Sequence, residues 1–91
     1  MSAAPVSYRL FQNFPNPFDP TTIKFSISKL SIVNLKIYDL LGRDVATLVN
    51  GQMSAGAHEV SFDASKLASG IYFYRLEAGS FTATKKFVLI K

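Results

Sequence analysis

The sequence has no cysteine. That excludes a disulfide framework, a thiolate nucleophile and a thiolate metal ligand, and it leaves the redox compartment open. Histidine occurs once, as His58, so a transition-metal site would need an unusual ligand set. Carboxylates are few: Asp19, Asp39, Asp44, Glu59, Asp63 and Glu77. Each falls in or beside an expected turn, or on the polar face of a strand. Glycoside hydrolysis needs two carboxylates facing across a cleft, and this pattern offers none. A calcium site from Asp39, Asp44 and neighbouring carbonyls would want more acids than these. No glycine-rich phosphate loop follows a strand. No run approaches the ~18 apolar residues of a membrane span. There is no secretory signal pattern, no tandem repeat and no sustained helical periodicity. Met1-Ser2-Ala3-Ala4 reads as a start sequence running into a linker remnant over residues 1–5. The chain therefore reads as a piece of a longer protein.

What is present points to a folded core. Hydrophobic residues make up 48% of the 91 positions, with eight Phe and four Tyr, which is too rich for a disordered tail. Residues 6–91 form one domain by length. A chain of this size buries roughly 60–65% of its unfolded surface, enough for a core without staples. The formal charge is +4, and part of the excess lies in Lys85, Lys86 and Lys91. Such an excess suits an anionic partner, but lysines also protect strand edges. Nothing in the pattern calls for nucleic acid.

Three of the four prolines fall within Asn13-Phe14-Pro15-Asn16-Pro17-Phe18-Asp19-Pro20-Thr21-Thr22. Each proline fixes its own φ, removes a donor and pushes the preceding residue toward extended geometry. The stretch is expected to be a rigid connector that lets a first strand change sheets, with Phe14 and Phe18 pinning it to the core. Proline-rich segments also dock in partner grooves, but flanking phenylalanines favour self-docking.

The rest alternates with period two. Val6–Gln12 is a short first strand, with Val6, Tyr8 and Leu10 on one face. Thr21–Ser28 points Ile23, Phe25 and Ile27 inward and Thr22, Lys24 and Ser26 outward. Ile32–Tyr38 points Val33, Leu35 and Ile37 inward. A turn with Gly42 at a positive φ leads to a fourth strand, Val45–Val49. Asn50-Gly51 is a strong turn dipeptide, and Gln52–Ala57 a loop bending at Gly56. His58–Phe62 is a fifth strand. Asp63–Gly70 has room for one helical turn capped by Asp63. Ile71–Leu76, apolar on both faces, is a central strand. Glu77–Ser80 turns the chain into a last strand from Phe81 to Lys91. Seven strands with short, even turns predict an all-β, seven-stranded antiparallel immunoglobulin-like β-sandwich, with a small barrel as the alternative.

Two features invite a function. Tyr72, Phe73 and Tyr74 would make a sugar-stacking platform if one face were open. Core packing, with a tyrosine hydroxyl bonded to a loop backbone, is the stronger reading for Tyr72. The terminal run Lys85-Lys86-Phe87-Val88-Leu89-Ile90-Lys91 puts four apolar residues together where termini are normally polar. Such a strand is buried on both faces, with Val88 and Ile90 in the core, or is offered to a partner.

Four blocks of the sequence resemble one family. The stretch from Asn13 to Ile23 strongly resembles the opening of the type A C-terminal sorting domains of the type IX secretion system. Val33–Val45, around Tyr38-Asp39-Leu40-Leu41-Gly42-Arg43, is similar to the family's next block. Leu67–Leu76, with Ser69-Gly70-Ile71-Tyr72, and Lys85–Lys91 resemble the third and terminal blocks. The blocks keep the family's order and cover almost all of residues 8–91. A related immunoglobulin-like module occurs in flagellar hook-capping proteins. Asp19 stands where Asn is common in the family, a change that preserves the turn.

The resemblance implies a non-catalytic secretion signal at the C-terminus of an exported cargo, and the residues call for no cofactor. The implied partners are the N-terminal cargo domain, the type IX outer-membrane translocon and a sortase-like peptidase. The peptidase commonly removes the domain, and the cargo is often joined to anionic lipopolysaccharide. The implied location is the periplasm in transit, then the cell surface or medium. By resemblance, translocon recognition falls on Lys86, Phe87, Val88, Leu89, Ile90 and Lys91. Structural roles fall on Phe14, Pro15, Asn16, Pro17, Phe18, Gly42, Gly70 and Tyr72. The competing reading is an immunoglobulin-like carbohydrate- or protein-binding module on an extracellular enzyme. A module of that kind shows an exposed aromatic row or a cleft, whereas a sorting domain carries its information in the last strand.

Overall fold

The computed structural model describes residues 7–14, 21–63 and 65–90. Alternating apolar positions become seven strands: β1 (Arg9–Leu10), β2 (Thr21–Ile27), β3 (Ser31–Asp39), β4 (Asp44–Met53), β5 (Gly56–Phe62), β6 (Gly70–Ala78) and β7 (Phe81–Leu89). No helix occurs among the described residues. One sheet has three strands in the order β1-β2-β5, and the other has four in the order β4-β3-β6-β7. Every pairing is antiparallel. The two sheets face each other as an immunoglobulin-like sandwich.

The core follows from the parity of each strand. Ile23, Phe25 and Ile27 of β2 meet Val33, Leu35 and Ile37 of β3, Tyr72, Tyr74 and Leu76 of β6, and Phe87 and Leu89 of β7. β6 is central, paired with β3 on one side and β7 on the other. The Phe87 ring stacks on Tyr72, tilts against Tyr74 and meets Phe62 edge-on across the sandwich. The last strand is therefore wedged into the aromatic centre of the core.

Several expectations change in the structure. β1 is only two residues long, although Leu10 does face the core. β1 does not leave for the other sheet, because Arg9 and Leu10 pair with Ser26 and Phe25 of β2. That pairing covers Ser26, expected outside; it is buried, and its hydroxyl donates to the Ser7 carbonyl at 3.5 Å. Asn50-Gly51 is not a turn. β4 runs through it to Met53, with Asn50 opposite Asn34 and Gly51 opposite Val33. A ladder partner on β3 outweighs the local turn preference, and the positive φ angles fall at Gly42, Gly56 and Gly79 instead. The segment after Asp63 holds turns and bends rather than a helical turn, with the Ser65 amide donating to the Asp63 carboxylate. Residues 1–6, the connector Pro15, Asn16, Pro17, Phe18, Asp19 and Pro20, and Ala64 and Lys91 lie outside the described residues. The linker remnant, Val6, the proline connector with its Phe18 anchor and the last residue of the terminal block fall among them.

Candidate functional site

The terminal strand sorts its side chains by register. Phe87 lies opposite Tyr72 and Leu89 opposite Gly70, so Phe87 and Leu89 are buried. Lys86, Val88 and Ile90 take the outward parity. Lys86 is exposed beside Phe73, Val88 is half-buried beside Ile71, and Ile90 is 63% exposed. Burial of Val88 and Ile90 is therefore corrected: ladder register assigns the core to the other two members of the run. Lys85 takes the inward parity of this edge strand, a placement that discourages another strand from pairing there.

The flanks of the proline stretch reach this strand. The Gln12 side-chain amide donates to the Lys86 carbonyl at 2.8 Å and to the Asn13 side-chain oxygen at 2.7 Å. The Asn13 amide donates to the Thr21 hydroxyl at 2.8 Å. A polar line thus runs from the last strand, through both flanks of the connector, to the start of β2. Asn13 is buried, whereas Phe14 is 72% exposed. Phe14 does not pin the connector to the core, because its backbone is bridged in both directions to Thr22 and this turns the ring outward. Gln12 and Asn13 went unrecognised as anchors. The one signal for Asn13 was its place ahead of Phe14-Pro15, where a polar side chain can bond to flanking groups.

Gly70 and Tyr72 support the same end of the molecule. Tyr72 is buried, and its hydroxyl donates to the Ala68 carbonyl at 2.7 Å, so the loop before β6 is tied down. Gly70 opens β6 opposite Leu89, and the Tyr72 ring passes 3.9 Å from where its Cβ would stand. Tyr74 is wholly buried, and its hydroxyl donates to the Phe11 carbonyl at 2.7 Å. Burial pushes this hydroxyl's pKa up to about 12, with the Asn13 backbone amide pulling the other way.

Gly42 belongs to a locked hairpin between β3 and β4. The Asp39 carboxylate accepts from the backbone amides of Arg43 and Leu41, each at 2.9 Å, and from the Arg43 guanidinium at 2.7 Å. The Arg43 amide, then burial in opposition, then the guanidinium set the balance, which holds the carboxyl below its ordinary range. Gly42 has φ 82°, which a side chain rarely adopts. Asp44 pairs with Lys36 at 3.5 Å. Both carboxylates considered for calcium thus have cationic partners.

The outer face of the four-stranded sheet sets Tyr38 directly opposite Phe73, with the Arg75 guanidinium 4.8 Å from the centre of the Tyr38 ring. Tyr72 and Tyr74 point the other way, into the core, so the three consecutive aromatics do not form one platform. Among the described residues, no three His, Cys, Asp or Glu side chains gather as a metal site. His58 bonds through its ring Nε2 to the Ser54 carbonyl at the rim of the sandwich.

Comparison with known proteins adds a second line of observation. Residues 12–91 match the family described as the secretion system C-terminal sorting domain. A similar solved structure is PorZ, described as an essential bacterial surface component of the type-IX secretion system of Porphyromonas gingivalis. The likeness has a TM-score of 0.63 at 22% identity, covers 90% of this chain and spans 11% of that one. At that identity it speaks for the fold. No curated protein matches the chain.

Proposed function

The chain belongs to the family of secretion system C-terminal sorting domains, and from that premise we propose that it carries a cargo protein across the outer membrane through the type IX system. The domain does no chemistry of its own. It acts as an address read by the outer-membrane translocon after the cargo has reached the periplasm. A sortase-like peptidase then cuts ahead of the domain, and the cargo stays on the surface, joined to lipopolysaccharide, or passes into the medium. Recognition centres on the terminal block from Lys86 to Lys91.

The observation that carries this reading is the split on β7. Phe87 and Leu89 hold the strand in the core, while Lys86, Val88 and Ile90 turn outward at its end. The strand is thus held in one pose with a charged and apolar face available to a partner. A disordered tail would have to be ordered on binding, at a cost in affinity.

The test fuses residues 5–91 behind a periplasmic reporter in a type IX-competent host. Reporter at the surface or in the medium, lost when the translocon gene is deleted, supports the proposal. Reporter held in the periplasm, with the domain shown to be folded, sinks it. A glycan screen directed at Tyr38 and Phe73 would then take priority.

A further inference from the structure

We propose that the β3–β4 hairpin tip, with Leu40 and Leu41, is a docking prong for a secretion-machinery protein that offers an apolar recess rimmed by carboxylates. The inference rests on the sorting role proposed above and adds a second contact to the terminal strand. Leu40 is 64% exposed and Leu41 78%. A connection that only reverses the chain needs no such display, and two residues suffice for it. Here the tip is held by the Asp39 carboxylate, by the Asp39 amide donating to the Arg43 carbonyl, and by the Gly42 amide donating to the Asp39 carbonyl. The leucines are thus fixed before any partner arrives, which reduces the entropy lost on binding.

The prong continues into the terminal block. A shallow groove runs between the tip and the start of β6, lined by Leu40, Leu41 and Ile71 together with Asp39, Arg43 and Ser69. Ile71 lies opposite Val88 and Gly70 opposite Leu89, so the groove leads onto the outward end of β7, where Ile90 is exposed. Leu40, Leu41, Ile71 and Ile90 make an apolar patch at this end of the molecule, beside the exposed Arg43–Asp39 pair. Grouped exposure of this kind marks interaction surfaces more often than scattered apolar residues do.

Position and charge choose the occupant. The chain comes in at the opposite end, where Tyr8 stacks on Phe81 and bonds to Ser31. The first described residues thus lie away from the leucine end. The ion pairs among the described residues are Lys36–Asp44 and Arg43–Asp39, and Lys86 belongs to neither. Lys86 is exposed at the border of the patch, so a matching surface carries carboxylates there. A groove behind a projecting tip fits a shaped protein recess better than the plane of a bilayer.

The test compares export of a reporter fused ahead of the whole chain, with four versions: unaltered, Leu40→Ser with Leu41→Ser, Leu40→Met with Leu41→Met, and Lys86→Ala. Burial of one leucine alone is worth about tenfold in binding, so the serine pair lowers surface and medium reporter by at least about tenfold. The methionine pair restores export, and the melting midpoint of the purified chain is unchanged. Should the serine pair melt lower, Leu41→Glu alone carries the same test at the more exposed position. Export of the serine pair equal to the unaltered chain overturns the prong and leaves the sorting role standing. So does a methionine pair as defective as the serine pair. An unaltered chain that is not exported overturns both. Leucine-dependent sedimentation of the purified chain with phosphatidylethanolamine–phosphatidylglycerol vesicles overturns the protein recess in favour of a lipid surface.

Discussion

At the scale of single residues, two hydrogen-bonded side chains make opposite pH predictions. The Tyr74 hydroxyl, buried and donating to the Phe11 carbonyl, has its pKa raised to about 12. Its folded pKa lies above the unfolded value near 10, so its contribution is complete below about pH 10 and disappears as pH rises through about 12. Tyr74→Phe removes the donor and costs about 0.5–1.5 kcal/mol at pH 7. Urea unfolding from pH 7 to 12 should show the unaltered chain losing its advantage over the variant in the alkaline window. An advantage that stays constant to pH 12 would refute the assignment. Asp39 works the other way. Its folded pKa is depressed by the Arg43 amide and guanidinium, so its contribution is present above the unfolded value near 4 and is lost as pH falls through the folded one. Asp39→Ala should therefore lower the melting midpoint at pH 7, with the deficit shrinking as pH falls below the unfolded value near 4.

At the scale of the element, β7 separates two jobs by parity, and so its substitutions should separate too. Phe87 touches the rings of Phe62, Tyr72 and Tyr74 and is 1% exposed. Phe87→Ala is expected to cost about 3–5 kcal/mol, a large share of the stability of a domain this small. Lys86→Ala, on the exposed parity of the same strand, should leave the unfolding free energy within the ~0.5 kcal/mol typical of surface changes while reducing export. If Lys86→Ala destabilised the fold as Phe87→Ala does, the division of labour would be wrong. The sequence could not assign this parity. Four apolar residues in a row have no alternation, and the choice of Phe87 and Leu89 over Val88 and Ile90 comes from the ladder with β6. β2 and β3 were legible because their apolar residues alternate, and β6 because it is apolar on both faces, as suits a strand with a neighbour on each side. Asn50-Gly51 misled because its turn signal is local, whereas the β3 residues that hold it extended are about 17 positions away. Phe14 misled in the same way: hydrophobicity suggested an anchor, but the bridge to Thr22 decided the direction of its side chain. Of the candidate site, the terminal block was legible as a run, while the leucine tip was legible as a turn within a family block, with nothing to show that its leucines stay exposed.

At the scale of the whole molecule, the strands give the domain two distinct ends. Tyr8, Ser31 and the β6–β7 turn mark one, since Tyr8 meets Ser31 and Phe81. The β3–β4 hairpin, the start of β6 and the end of β7 mark the other, because Asp39 pairs with Tyr72 and Gly70 with Leu89. The nine residues of β6 hold these ends roughly 26 Å apart, at about 3.3 Å per step. Ser7 thus lies a strand length from the leucine tip and from Ile90, whereas Ile90 lies at the same end as the tip. Insertions at the two termini should therefore differ sharply. A flexible Gly/Ser spacer of about 20 residues ahead of the domain should leave export unchanged, since it lengthens a tether at the far end. A small folded domain fused after Lys91 should abolish export while the melting midpoint of the sandwich holds, because it covers the apolar end without touching the core. The paired measurement is reporter localisation and thermal unfolding for both fusions. Equal export from the two would mean that the end bearing β7 and the leucine tip is not the face the machinery reads, and recognition would then have to lie on the broad outer faces of the sheets.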